Sequence, residues 1–209
     1  MIDFGKYDFT LECDHPTWVM DKRHVEVIYE FLMRNDFNRV CEIGSYTGYS
    51  TIAFIEALNH GKDFRFHISE PNPTRQLRAL ISLCTKPDNI LLHTQQGVDV
   101  LEKWGFGFDF VMVDGNHNIE GAGLELLMIL RHNIPNVIAH DTNISKIDEM
   151  NHPCLGSELI GRTLWSHEDY KCIEDKEQRK GEQTDRGLLF ATTNEHTYKV
   201  AQDVFKDKC

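Results

Sequence analysis

Short apolar runs alternate with amphipathic segments along most of this chain. Residues 21–35 carry apolar side chains at helical spacing, which predicts an amphipathic helix there. Further along, the pattern predicts β-strands at residues 39–43, 64–69, 90–94, 108–113 and 137–139. Between the strands it predicts helices at residues 50–59, 74–85, 98–104 and 120–132. This alternation is typical of an α/β fold with a doubly wound, mostly parallel sheet covered by helices on both faces.

The pattern changes after residue 141. Two strand-like segments, residues 170–173 and 187–192, flank the polar stretch 174–186 and predict a C-terminal antiparallel hairpin. The hairpin brings the predicted sheet to seven strands. The sequence has no internal repeat and no low-complexity linker, so we expect a single domain over residues 1–209.

The composition excludes several classes of protein. The chain has 209 residues, 41% of them hydrophobic and 26% charged, which is ordinary for a soluble globular protein. A net charge of −11 disfavours nucleic-acid binding, because an acidic surface repels phosphate backbones. No apolar run approaches the roughly 18 residues of a membrane helix, and no signal peptide is recognisable. Six scattered cysteines without a C-x-x-C pair favour a reduced, cytoplasmic setting.

The most informative stretch is residues 41–50, with the sequence CEIGSYTGYS. An apolar strand carrying an acid runs into a glycine-punctuated turn, and the next segment is a predicted helix. Glycines at such a joint let the backbone approach a ligand closely. The E-x-G-x-x-x-G spacing differs from the G-x-G-x-x-G of dinucleotide folds and from the phosphate-binding loop. By itself it is equally consistent with a tight turn that binds nothing.

Polar residues follow each of the first five predicted strands. In an open α/β sheet these carboxyl ends meet at one edge, where ligands bind. The residues concerned are Glu42 and Gly44, Glu70, Gly97 and Asp99, Asp114 and His117, and His140 and Asp141.

Two of these acids are suited to a nucleoside. Glu70 lies 26 residues beyond Gly44 and can accept hydrogen bonds from both hydroxyls of a ribose; alternatively it is a surface acid beside a proline. Asp99 stands at the start of a short predicted helix, where it either faces an adenine amino group or caps the helix.

The remaining polar residues point to cation or proton chemistry. Asp114 and Asp141 arrive from neighbouring parallel strands, which are spaced about 4.8 Å apart. Such a pair either holds a divalent cation through oxygen ligands or consists of separate caps and surface acids. His117 is either a general base or a helix-start residue that bonds locally.

At this point a family resemblance is visible. Residues 42–50, EIGSYTGYS, resemble the first motif of class I S-adenosylmethionine-dependent methyltransferases, particularly the catechol O-methyltransferase-like group. Residues 114–117, DGNH, followed by residues 140–142, HDT, resemble the small-molecule O-methyltransferases, including the branch that methylates sugars of natural products. The similarity spans about residues 21–192. It implies a Rossmann-like methyltransferase fold whose last strand is antiparallel.

The resemblance also implies a cofactor site. The methionine part of S-adenosylmethionine would be surrounded by Glu42, Gly44, Ser45, Tyr46 and Ser50. Glu70 would hold the ribose, and the adenine would be bordered by Gly97, Val98 and Asp99. Asp114 would lie near the sulfonium.

A metal site is implied by the same resemblance. Asp114 and Asp141 would be ligands, and the family usually adds an Asn, Asp or Glu beside the second acid. His140 and Thr142 stand there instead, and His140 is the expected third ligand. The family metal is Mg²⁺ or Mn²⁺, but a histidine suits Mn²⁺, Fe²⁺ or Zn²⁺ better than Mg²⁺. His117 falls where relatives carry the residue that takes the substrate proton.

We therefore expect a metal-assisted O-methyltransferase that acts on a hydroxyl group of a small molecule and has no nucleic-acid or membrane partner. Residues 1–36 would be a helical lead-in, 37–142 the cofactor-binding core and 143–209 the substrate side with the closing hairpin. The acceptor would be shaped by residues 14–20, 142–161 and 174–186, which match no motif.

Three alternatives and the oligomeric state stay open. The chain can be a metal-independent methyltransferase, or a non-catalytic protein that binds S-adenosylmethionine. A nicotinamide-dependent dehydrogenase is disfavoured by the glycine spacing. Homo-oligomers are compatible with the sequence.

Overall fold

A computed structural model describes residues 2–11, 19–142, 155–175 and 187–208. Within these ranges the chain forms one seven-stranded sheet in the order β3-β2-β1-β4-β5-β7-β6. The strands are β1 (Arg39–Ile43), β2 (Arg65–Ser69), β3 (Ile90–His93), β4 (Phe110–Val113), β5 (Asn136–His140), β6 (Lys171–Asp175) and β7 (Leu188–Thr192). β1 to β5 pair in parallel, and β7 runs antiparallel to both β5 and β6.

Helices flank this sheet. They are α1 (Lys22–Arg34), α2 (Thr51–Asn59), α3 (Arg75–Ser82), α4 (Gly97–Trp104), α5 (Ile119–Arg131), α6 (Leu155–Ser166) and α7 (Glu195–Lys208), with an N-terminal 3₁₀ helix at Phe4–Leu11. No helix in the described ranges is long and apolar enough to cross a bilayer.

The two faces of the sheet carry separate apolar clusters. On β4, Phe110 and Met112 join one cluster, while Val111 and Val113 join the other. This alternation follows from the two-residue period of a strand. Because helices cover both faces, strands β4, β5 and β7 are buried at every position, and most of their residues are apolar.

The predicted fold class is confirmed: the sheet is mostly parallel, is covered on both faces and ends in an antiparallel hairpin. The first five strands and α1 to α5 lie within a few residues of their predicted positions. The two C-terminal strands form the predicted antiparallel hairpin, and a helical crossover leads into it from β5. α6 precedes β6, and β6 runs parallel to β5 because β7 is antiparallel to both.

Other elements were not predicted. The sequence pattern did not predict α6, α7 or the N-terminal 3₁₀ helix. The boundaries of the lead-in, core and substrate-side segments stay a prediction.

Candidate active site

The loop after β1 is held against the loops after β2 and β4. The backbone N–H of Gly44 donates to Ser69 O at 2.9 Å, and that of Asp114 donates to Ile43 O at 2.8 Å. Gly44 has a φ of 80°, and a Cβ there would stand 2.3 Å from the backbone oxygen of Asp114. Only glycine combines this backbone conformation with so close an approach.

Glu42 fixes the conformation of this loop through hydrogen bonds. Its side chain is fully buried and accepts hydrogen bonds from the hydroxyls of Ser45, Ser50 and Thr51 at 3.1, 2.5 and 2.6 Å. Burial raises the pKa of Glu42 to about 7, although the three hydroxyls act in the opposite direction. This arrangement explains why an acid occupies the end of β1. Direct contact of Glu42 or Ser50 with a ligand stays a prediction.

Glu70 is fixed by the same loop. Its Oε2 accepts the backbone N–H groups of Ser45 and Tyr46 at 3.2 and 2.8 Å, and its Oε1 accepts that of Asn72 at 3.0 Å. Tyr46 takes a left-handed φ of 47°, which is uncommon for a non-glycine residue. The loop amides therefore hold the Glu70 carboxylate in place before any ligand arrives.

A cleft of about 160 Å³ opens between these loops. Its lining residues come from the ends of β1, β2, β3 and β4 and from one buried helix position: Ile43, Gly44, Ser69, Glu70, Pro71, Gln96, Gly97, Gly115, Asn116 and Glu125. Gly44, Glu70 and Gly97 are thus brought together as predicted. Val98 and Asp99 follow in the first turn of α4, where Asp99 is exposed and Gln96 is the N-cap, so the capping alternative for Asp99 is wrong.

A cluster of acids and imidazoles lies where β4 and β5 end. His140 Nδ1 stands 3.3 Å from Asp114 Oδ1 and 3.3 Å from Asp141 Oδ1. His117 Nε2 stands 3.7 Å from Asp114 Oδ1 and 3.5 Å from Asp141 Oδ2. Asp114, His140 and Asp141 each offer a ligand atom, and these atoms lie within 4.8 Å of one another.

The backbone conformation of Asp141 explains how the side chains of His140 and Asp141, which are consecutive in the chain, reach the same site. Side chains at successive strand positions point to opposite faces. Asp141 follows the last residue of β5 and adopts a φ of 59°, which breaks this alternation. Residues in this region of the φ/ψ map cost about 1–3 kcal/mol and cluster at functional sites.

The imidazoles of the cluster favour the ionised form of Asp114. Burial alone would raise the pKa of Asp114, but the imidazoles of His140 and His117 outweigh it and hold that pKa below its usual value. His117 itself precedes the N-cap of α5, Asn118, whose side chain accepts Gly121 N at 2.8 Å. Its ring contacts the two carboxylates, while 40% of the side chain stays exposed.

Two residues of this region were missed by the sequence analysis. His24 of α1 stacks edge to face on His140 with ring centroids 5.4 Å apart, and its Nε2 lies 3.5 Å from an oxygen of Asp175. Glu125 is fully buried on α5 beside the cleft, and burial raises its pKa to about 7. His24 and Glu125 each lie on the apolar side of their helix. A polar residue within the apolar stripe of a predicted helix is the sequence signal that could have identified them.

The substrate side is described only in part. Residues 14–18, 143–154 and 176–186, which were expected to shape the acceptor pocket, lie outside the described residues. Thr142 is buried and donates to Glu174 Oε1 at 2.7 Å.

A family comparison agrees with this geometry. Residues 41–142 match a family model described as a methyltransferase domain. Residues 41–142 of this chain form a methyltransferase domain. The matched segment begins in β1 and ends directly after Asp141, so it contains the glycine loop, the cleft and the acid–imidazole cluster. The recognition of a class I S-adenosylmethionine-dependent methyltransferase is confirmed, and with it the assignment of the chain as an enzyme. No curated protein matches by sequence.

Solved structures share the fold of this methyltransferase. One is the O-methyltransferase TomG from Streptomyces achromogenes in complex with S-adenosylmethionine, with 18% identity, a TM-score of 0.71 and coverage of 90% of this chain and 88% of TomG. An O-methyltransferase from Bacillus cereus, in complex with S-adenosylhomocysteine, has 15% identity and a TM-score of 0.71, with 90% and 88% of the two chains covered. The methyltransferase PaMTH1 from Podospora anserina, bound to S-adenosylhomocysteine, has 13% identity and a TM-score of 0.73, with 93% and 89% covered.

Proposed function

We propose that this methyltransferase transfers the methyl group of S-adenosylmethionine to a hydroxyl oxygen of a small molecule, with a divalent cation held by Asp114, His140 and Asp141. The observation that carries the proposal is the convergence of three potential ligand atoms within 4.8 Å at the edge of the sheet that also forms the cleft. The O-methyltransferases with the same fold support the choice of oxygen as the nucleophile.

The residues present suit both bound groups. Glu70 is positioned by loop amides and offers its carboxylate to ribose hydroxyls, while Gly44 and Gly97 keep the cleft open. Two carboxylates and one imidazole form a donor set that accepts Mn²⁺, Fe²⁺ or Zn²⁺ more readily than Mg²⁺. A cation in that set would lower the pKa of the acceptor hydroxyl, and the cofactor would supply an electrophilic methyl group.

His117 would act as the general base. Its Nε2 faces both carboxylates, which stabilise the imidazolium formed when it takes the hydroxyl proton. Its partial exposure leaves room for an acceptor on the open side. Methyl transfer needs mainly alignment of the oxygen, the carbon and the sulfur, so the rigid loops around Glu42 and Glu70 contribute by fixing the cofactor.

Turnover tests the catalytic part of the proposal. Methyl-labelled S-adenosylmethionine would be incubated with a panel of catechols and glycosides in the presence of Mn²⁺. We expect His117→Ala to lower kcat by about 10²–10⁴-fold with little change in the affinity for S-adenosylhomocysteine. His196→Ala is the control, since His196 is an exposed histidine on α7. Equal turnover by both variants would exclude His117 as the base.

Metal binding is tested separately by calorimetry. We expect Asp141→Asn to weaken Mn²⁺ binding by at least about tenfold, because it replaces a charged oxygen ligand. Asp203→Asn changes an exposed acid on α7 and serves as the control. Undiminished turnover in excess chelator would instead favour the metal-independent methyltransferase. Binding of S-adenosylhomocysteine without turnover on any acceptor would favour the non-catalytic alternative.

A further inference from the structure

Helix α5 carries apolar side chains on its solvent side as well as on its buried side. Ala122, Leu126 and Ile129 are buried in the apolar cluster on one face of the sheet. Leu124 and Leu127 belong to the same helix but are 45% and 54% exposed. A helix that covers one face of a sheet ordinarily presents polar side chains to water, so a pair of exposed leucines is unusual there.

Charged residues of opposite sign lie at the two ends of this leucine pair. Glu120 is in the first turn of α5 and Arg131 is in its last turn, and both are exposed. Positions 120, 124, 127 and 131 follow one another at intervals of four, three and four residues, so they form one stripe along the helix. Within the described part of the chain, neither Glu120 nor Arg131 forms an ion pair with its own chain. The stripe therefore has an acid at one end, a base at the other and two leucines between them.

This stripe is complementary to itself when a second copy runs in the opposite direction. A two-fold axis perpendicular to α5, midway between Leu124 and Leu127, exchanges position 124 with 127 and position 120 with 131. Glu120 of each copy then faces Arg131 of the partner subunit, and the leucines pack between the two ion pairs. In a parallel arrangement like charges would face each other, which would destabilise the contact. The order of the four side chains thus favours an antiparallel pair of α5 helices.

Helix α6 lies beside α5 and adds exposed apolar side chains. A Cβ on Gly123 of α5 would stand 3.6 Å from Leu159 Cδ2 of α6, so the two helices are in contact. Leu155 and Trp165 of α6 are exposed, as is Ile119 at the start of α5. A typical dimer interface buries about 800 Å² on each copy, more than one helix stripe supplies. Apolar side chains on the neighbouring helix would enlarge the contact.

We propose that this chain forms a two-fold symmetric dimer in which α5 packs antiparallel on α5 of a second copy. The inference does not depend on the proposed function. Because α5 begins two residues after His117, the antiparallel arrangement places the two candidate active sites at opposite ends of the helix pair. The short stripe and the net charge of −11 favour a weak dimer, with a dissociation constant of about 10–100 µM.

Sedimentation velocity at chain concentrations between about 1 and 300 µM measures this association. We expect the mass of the wild-type particle to rise from that of one chain to that of two. Leu127→Glu should weaken the dimer by at least about tenfold, because it places a charge in the apolar centre of the contact. Leu83→Glu is the matched control, since Leu83 is 47% exposed and lies at the end of α3. A wild-type chain that stays monomeric throughout, or equal association of the two variants, would overturn the inference.

Charge reversal tests the antiparallel arrangement. Glu120→Arg and Arg131→Glu should each weaken the dimer by at least about threefold, because each places like charges opposite one another. The double variant Glu120→Arg/Arg131→Glu exchanges the two ends of the stripe and should restore association to within about twofold of the wild-type value. A double variant as weak as the single variants would overturn the inference. Thermal melts of the dilute proteins check folding, since both reversals oppose the helix dipole.

Discussion

Two buried carboxyl groups, Glu42 and Glu125, set the electrostatic character of this site at the scale of single residues. Both are fully buried, and burial raises the pKa of each to about 7. They differ in their partners, because Glu42 accepts three hydroxyls whereas the hydrogen bonds to Glu125 come from Asn116. Glu42 therefore holds the glycine loop after β1, while Glu125 is bound to the loop after β4.

These acids make stability depend on pH. A carboxyl group whose pKa rises from 4.5 to about 7 on folding binds its proton more tightly in the folded state. Its stabilising contribution is therefore present below about pH 4.5 and is lost as the pH rises through about 7. Each group should reduce the free energy of unfolding by up to about 3 kcal/mol across that window.

Urea unfolding at several pH values between about 5 and 8 measures this effect. We expect Glu42→Gln to flatten the decline, because the glutamine side chain does not ionise. The exposed Glu120→Gln should leave the decline as in the wild-type chain. The same pH dependence in Glu42→Gln and in the wild-type chain would contradict the prediction.

At the scale of elements, the decisive contact is between the loops that follow β1 and β4. Gly44 allows the backbone of one loop to reach that of the other, which places the cleft beside the acid–imidazole cluster. The left-handed φ at Asp141 similarly turns the end of β5 towards the same site. The site therefore depends on backbone geometry at a few positions between elements, and less on the elements themselves.

A pair of glycine substitutions tests this view. Gly44→Ala introduces a methyl group at a positive φ and 2.3 Å from a backbone oxygen, whereas Gly61→Ala has a φ of 100° but no atom within 4 Å. We expect Gly61→Ala to cost about 1 kcal/mol of unfolding free energy through strain alone. Gly44→Ala should cost more and should also abolish binding of S-adenosylhomocysteine. Thermal melts and calorimetry would check both, and equal effects of the two variants would contradict the prediction.

At the scale of the whole molecule, β7 connects distant parts of the chain. It is fully buried and lies between β5 and the edge strand β6, so the C-terminal region supplies an interior strand of the sheet. Phe190 of β7 packs on Phe31 of α1 with ring centroids 4.6 Å apart. The N-terminal helix and the last strand therefore share one apolar cluster on one face of the sheet.

Removal of the Phe190 ring should destabilise the entire fold. Phe190 is fully buried, and we expect Phe190→Ala to cost about 3–5 kcal/mol of unfolding free energy. Phe106→Ala removes the same side chain where it is 77% exposed, and should change stability by less than about 0.5 kcal/mol. Urea unfolding of the two variants measures the difference. A small effect of Phe190→Ala would contradict the importance of β7 for the fold.

The sequence predicted those site residues that directly follow the end of a strand. Asp114, His117, His140 and Asp141 follow β4 and β5 and do meet in space. Glu125 was not predictable in the same way, because its role depends on which side of α5 faces the cleft. Local sequence patterns also could not predict that β7 lies between β5 and β6, because strand order is set by packing between distant segments.

The sequence by itself determined the succession of β1 to β5 with their helices and the acids at the strand ends, because hydrophobic periodicity and turn residues act over a few positions. Only the tertiary structure decided that Glu42 lies beneath the loop, that Glu125 reaches the cleft and that His24 stands behind His140. These relations depend on the burial and close approach of residues far apart in the chain, which no local pattern records.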